Sequence, residues 1–146
     1  MKKRGFTLLE LLIVIIIIGI LATLALTQYK PYKENTLDKE AQANLKLIYA
    51  AERIYKFEND ANVYDVPVLT NYTINQGLKL QLTTANPNWN YTILDCTSGG
   101  NSLFYAQAAR TDTSVARSWC LRSPPPDASG TIADPVPYSG PCSCSP

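Results

Sequence analysis

Apolar and polar positions divide this chain into three regimes. From Leu11 to Tyr29 run 19 residues without a charge, and 18 of the 24 residues from Phe6 to Tyr29 are hydrophobic. As a helix, the uncharged run reaches about 28 Å, close to the hydrocarbon thickness of a bilayer. Lys2, Lys3 and Arg4 precede it, and the positive-inside bias places them in the cytoplasm and the rest of the chain outside. A secretory signal peptide would be shorter and closed by a small-x-small cleavage cluster. Here the run passes smoothly into a polar helical pattern. A plain anchor, in turn, must explain Glu10, a carboxylate just inside the apolar run. Ionisable residues in a span are costly and mark function unless they sit hydrated at its boundary.

The second regime is amphipathic. Leu37, Ala41, Leu45, Ile48, Ala51 and Tyr55 recur at steps of three or four, and Leu47, Ile54 and Phe57 form an adjacent stripe. The pattern predicts a helix from Glu34 to Phe57, one side packed on a sheet and the flank free for a neighbour. Glu52 and Lys56 are expected as an exposed i,i+4 pair, and Asn59-Asp60-Ala61-Asn62 ends the helix. A single helix from Phe6 to Asn59 would be about 80 Å long. Its exposed apolar half needs lipid or a bundle of like helices. Of the aromatic residues, Tyr29 and Tyr32 read as interfacial anchors, while Phe6, Tyr49, Tyr55 and Phe57 read as packing residues rather than an electron path.

The third regime alternates. Residues 60–90 read as a linking loop with one strand at Leu78–Leu82, followed by strands at Trp89–Leu94, Ser102–Arg110 and Ser114–Arg122. Ser98-Gly99-Gly100-Asn101 and Thr111-Asp112-Thr113 read as hairpin connections. The predicted fold class is α+β: a long N-terminal helix, half membrane-spanning and half amphipathic, on a small antiparallel sheet. Seven prolines in residues 124–146 argue against regular structure there.

Composition changes the picture only after this division. The 146 residues carry 13 Lys and Arg against 12 Asp and Glu, with no basic face to suggest a nucleic-acid partner. With no histidine, a Ser–His–Asp triad, an imidazole base and a His-ligated metal are excluded. No convergent catalytic set remains, so no enzyme and no cofactor is expected. Cys96, Cys120, Cys142 and Cys144 all lie far from the apolar segment, and outside the cytoplasm they should pair. The i,i+2 spacing disfavours Cys142–Cys144. A meander would separate Cys96 from Cys120 by a strand, leaving two connectivities that each join the tail to both strands. A four-cysteine zinc site is the rival. Asp127 and Asp134 are too few for calcium, which needs six to eight oxygens, so no metal is expected.

Arg4-Gly5-Phe6-Thr7-Leu8-Leu9-Glu10-Leu11-Leu12-Ile13-Val14, continuing through Gly19-Ile20-Leu21-Ala22 to Gln28-Tyr29, resembles the N-terminus of type IV prepilins and type II secretion pseudopilins. The resemblance implies cleavage between Gly5 and Phe6 by a membrane-embedded prepilin peptidase, and methylation of the Phe6 amine. It implies that Glu10 pairs with the N-terminal amine of a neighbouring subunit and sets axial register. Such a pair makes physical sense, because each charge alone is costly in a low dielectric. The family often carries proline where this chain has Thr27; with Pro31 first, a kink is expected near Pro31.

The resulting division is a leader at 1–5, a transmembrane and polymerisation helix at 6–29 and an amphipathic helix at 30–59. A sheet-bearing head at 60–123 and a Pro/Cys-rich tail at 124–146 follow. The leading expectation is a subunit of a type IV pilus-like homopolymer. Membrane lipid before assembly, the prepilin peptidase and an inner-membrane assembly platform would be its partners. Its expected path runs from the inner membrane to the cell surface, in roles such as adhesion or motility. The alternative is a pseudopilin of a short periplasmic filament for protein secretion; a third is a single-span membrane protein with a periplasmic binding domain. Loss of residues 1–5 would leave 10 basic residues of the 13 against 12 acidic, a net −2.

Overall fold

Thr7 starts the first helix. Its hydroxyl accepts the Glu10 backbone N–H at 3.2 Å, and its carbonyl accepts that of Leu11, an N-cap that satisfies donors left free at a helix start. In the computed structural model the described residues are 6–59, 64, 70–96, 103–112, 117–123, 134–138, 140 and 142, without side chains at 25–28. The elements are α1 (Leu8–Glu58), α2 (Asn71–Leu78), β1 (Trp89–Asp95), β2 (Phe104–Arg110), β3 (Ser118–Arg122) and β4 (Val136–Tyr138). The strands form one antiparallel sheet in the order β1-β2-β3-β4. The chain divides into two compact units, Met1–Leu37 and Asp38–Pro146.

Within the first unit, α1 contains Pro31, yet the helix bends earlier, between Leu24 and Tyr29. The expectation of a kink at Pro31 is therefore corrected by about one turn. A proline lacks the N–H that would bond the carbonyl four residues back, and its ring clashes there. For Pro31 that carbonyl belongs to residue 27, so the yielding turn lies before the proline.

Within the second unit, the sheet packs on α1. Ala41, Leu45 and Ile48 are fully buried, as the apolar stripe predicts, and Tyr49 meets Phe104 of β2 at 5.9 Å between ring centres. Trp89, Tyr91 and Ile93 alternate inward along β1, with Ala106, Ala108 and Leu121 beside them. Each large apolar side chain removed from water here contributes about 1.5–3 kcal/mol. Polar contacts fix the helix on the sheet: Asn44 Nδ2 donates to the Tyr91 hydroxyl at 2.9 Å, and Asp38 accepts from both Arg117 and the Trp119 indole.

Three expectations fail here. Leu78–Leu82 is not a strand: Leu78 ends α2, and residues 79–84 run without a strand partner. The alternation was real, since Leu78 and Leu82 are buried. The hydrogen bonds, however, come from side chains, because Asn75 both accepts the Leu82 N–H (2.7 Å) and donates to its carbonyl (2.8 Å). Glu52 is wholly buried rather than solvated beside Lys56, whose ammonium lies over the Tyr64 ring at 4.7 Å. Phe57, placed on the neighbour-facing stripe and also read as a packing residue, is 77% exposed, so only the packing within its own unit fails.

The turn after α2 carries local strain. Lys79 adopts a left-handed backbone (φ 54°) at the end of α2, where glycine is the usual residue. Lys79→Gly should raise the unfolding midpoint. Relief of about 1–2 kcal/mol of left-handed strain exceeds the chain entropy that glycine adds to the unfolded state, roughly 0.4–1 kcal/mol. A lower midpoint would refute that balance.

Burial pushes the Tyr91 hydroxyl up to about 12, against a partly offsetting bond from Asn44. An acid whose folded value lies above its unfolded value of 10 stabilises fully below pH 10, and that contribution is lost as pH rises toward 12. Tyr91→Phe should therefore cost about 1 kcal/mol at neutral pH, from the lost Asn44 bond. The variant should close that gap in melting curves taken between pH 10 and 12.

Candidate assembly surfaces

Phe6 and the start of α1 form the first surface. Phe6 is 84% exposed, and every described apolar side chain from Leu8 to Leu24 is also exposed. Apolar surface on this scale is stable only against lipid or other protein. Glu10 sits on the first turn of α1, where the partial positive charge of a helix N-terminus favours a carboxylate. By length and composition no single described helix suffices to cross a membrane, whereas the bent pair Leu8–Leu24 and Tyr29–Glu58 does. Lys2, Lys3, Arg4 and Gly5, the leader side of the expected cleavage point, lie outside the described residues.

The second surface belongs to the Asp38–Pro146 unit. A groove of about 460 Å³ lies between Leu47, Ala51, Ile54 and Tyr55 of α1 and Gly77, Leu78 and Leu80 at the end of α2. The expected neighbour-facing stripe is thus open to solvent: Leu47 and Ile54 line the groove, and all of Leu47, Ile54 and Phe57 are exposed. Sequence reasoning missed the α2 wall. The available signal was Thr70-Asn71-Tyr72-Thr73, whose two threonines cap the helix reciprocally.

The third feature is the tail's attachment. Cys120 and Cys142 form a disulfide with Cα atoms 6.0 Å apart. Cys96 is disulfide-bonded as well, while Cys144 lies outside the described residues. The sulfurs of Cys120 and Cys142 are therefore not available to the four-cysteine zinc site. Cys96, Leu103, Tyr105 and Cys142 make a small buried cluster, flanked by Leu94 and Cys120. Burial raises the Tyr105 hydroxyl above its ordinary value there. Ser118 Oγ reaches the carbonyls of Tyr138 and Gly140, and Lys46 meets Asp134 at 2.6 Å. Asp134 is thus held by a lysine, and Asp127 lies outside the described residues. No group of three or more His, Cys, Asp or Glu able to hold a metal occurs among the described residues.

An exposed apolar helix start carrying one carboxylate and a small disulfide-bonded α+β unit make up a pilin-like fold. Residues 1–26 match the family described as the prokaryotic N-terminal methylation motif. The chain is 42% identical over 59 residues to the type IV major pilin protein PilA of Myxococcus xanthus, covering 40% of this chain and 27% of that one. It is 37% identical over 78 residues to the type II secretion system core protein G of Escherichia coli, covering 53% and 48% respectively. With core protein G of Pseudomonas aeruginosa the identity is 33% over 94 residues, covering 61% and 60%. The matches thus span between a quarter and three fifths of these curated relatives. No solved structure gives a significant match.

Proposed function

We propose that this chain is a structural subunit of a type IV pilus-like filament, made as a membrane-inserted precursor and polymerised through the N-terminal half of α1. The observation that carries this reading is the methylation motif over residues 1–26, which takes in the α1 stretch Leu8–Leu24, whose apolar side chains are all turned to solvent. In the membrane, lipid covers that stretch; in a filament, the same stretch of other copies covers it. A prepilin peptidase cuts between Gly5 and Phe6 and methylates the new amine, and an inner-membrane platform feeds subunits into the growing fibre. Glu10 neutralises the Phe6 amine of a neighbouring copy and sets the axial step. The role is mechanical, and no residue is assigned a catalytic part. On this reading, Cys96 pairs with Cys144, so that two bridges fasten the tail.

Mass spectrometry of the purified protein tests the first step. The mature chain should begin at an N-methylated Phe6, five residues shorter than the translated one. A chain that keeps Met1–Gly5 and stays monomeric sinks the filament reading and leaves a single-span membrane protein with a periplasmic binding unit.

One observation favours a second reading. The longest of the three alignments, over 94 residues, is with a type II secretion core protein G and exceeds the length of α1. A short periplasmic filament serving protein secretion uses the same physics. Long surface fibres containing this chain would support the pilus; export that fails without the chain, in cells lacking such fibres, would support the pseudopilin.

A further inference from the structure

We propose that one face of α1 at residues 29–33 binds the headgroup phosphates of anionic phospholipid in the outward-facing leaflet, an inference that rests on the membrane-inserted precursor reading. Lys30 is the first charge after the 19 uncharged residues that end at Tyr29, and Lys33 follows three residues later. Three residues rise about 4.5 Å along a helix. The headgroup layer is roughly 5–7 Å deep on each side of the hydrocarbon, so both ammonium groups fall within it.

At about 100° per residue, Tyr29, Lys30, Tyr32 and Lys33 share an arc of roughly 160° of the helix surface, with Pro31 on the opposite side. All four side chains are exposed, Tyr29 by 69% and Tyr32 by 77%. Neither lysine makes an ion pair or hydrogen bond among the described residues. Farther along α1, by contrast, Lys46 is held by Asp134, and Asp38 holds Arg117. Glu34, the nearest carboxylate, is half-buried and lies off the arc. The face therefore offers two positive charges between two amphipathic rings. Tyrosine rings settle at headgroup depth, and lysine stems lie along apolar surface while the ammonium reaches out to a polar partner.

Charge complementarity selects the occupant. Basic residues on the outward side run against the positive-inside bias, and an anionic headgroup offsets that cost. The exposed apolar side chains from Leu8 to Leu24 belong to the same compact unit, so on the proposed reading lipid is already the neighbour. Loss of Lys2, Lys3 and Arg4 with the leader makes Lys30 and Lys33 the first basic side chains of the mature chain. They then hold the stretch at its depth, and withdrawal of a subunit into a fibre releases both phosphates.

The test uses the purified full chain with photoreactive benzoylphenylalanine in place of Tyr29, which keeps an aromatic ring there. It is reconstituted in vesicles of equal parts phosphatidylcholine and phosphatidylglycerol, and the lipid adducts are weighed by mass spectrometry. Phosphatidylglycerol adducts should exceed phosphatidylcholine adducts about fivefold or more at low salt, since each lysine near an anionic surface is equivalent to roughly fivefold. The excess should vanish in Lys30→Gln/Lys33→Gln, persist in Lys30→Arg/Lys33→Arg, and fade at about 1 M salt, where charges are screened within roughly 3 Å. Adducts at the bulk ratio, or an excess that survives both glutamines, overturn the lipid site and leave the filament reading standing. In cells, adducts to protein in place of lipid would give this face to an acidic protein surface and overturn the site as well. A parent chain that alkaline carbonate washes off the vesicles overturns the membrane-inserted reading itself.

Discussion

Glu10→Ala should be cleaved and methylated at Phe6 as usual, yet yield at least a hundredfold less filament than the parent chain. On the proposed reading cleavage depends on Gly5 and Phe6, whereas Glu10 lies on the first turn of α1, with its side chain exposed in the isolated chain. In a bundle of apolar helices the environment changes. Removing one partner of a buried charge pair leaves the other uncompensated, at about 3–5 kcal/mol. That exceeds the 2.7 kcal/mol equivalent to a hundredfold change in an equilibrium. Glu10→Gln separates the causes, because it keeps the size and hydrogen bonding and removes the charge. It should assemble nearly as badly as the alanine variant. Normal fibres from Glu10→Gln would show that charge pairing does not set the register.

Replacing Cys120 and Cys142 together with serine should destabilise the Asp38–Pro146 unit by about 3 kcal/mol, the cost of losing a cross-link that closes a loop of this size. The bridge joins residues 22 apart. The other attachments are weaker. The Lys46–Asp134 pair is solvated, with Asp134 85% exposed, and such pairs contribute about 0–1 kcal/mol. β4 is three residues long with every side chain exposed, too short to hold itself in place. Thermal unfolding of the full chain in detergent, with and without reductant, measures the loss. In reductant, which also opens the bridge of Cys96, the double variant and the parent should melt together. An unchanged midpoint would mean that Ser118 and the short β3–β4 ladder suffice.

Some of this architecture was legible because it depends on period alone. A stripe repeating every three or four residues has one way to bury itself, and Ala41, Leu45 and Ile48 are buried as that period demands. Trp89–Asp95 follows the two-residue period in the same way, with Trp89, Tyr91 and Ile93 inward. What period cannot supply is the source of the backbone hydrogen bonds. Leu78 to Leu82 alternates like a strand, but Asn75 provides the bonds a neighbouring strand would have provided. Glu52 misled for a related reason: a carboxylate four residues before a lysine reads as solvated, and only the packing around it makes it part of the core. β4 escaped notice because prolines forbid a central strand, while an edge strand tolerates one.

By itself, the sequence determined that the chain carries an apolar helical stretch with a charge at its start, an amphipathic continuation and an antiparallel sheet. These are local properties, fixed by residue type and spacing along a few turns. It also established that Cys142–Cys144 is a poor pair. Only the tertiary structure decided that Cys120 takes Cys142, that α2 closes the β1 edge through Asn71, and that α1 and α2 leave an apolar groove. Each of these depends on which distant segments meet. Many distant pairings satisfy the same local pattern, and the choice among them is made by how all of them pack at once.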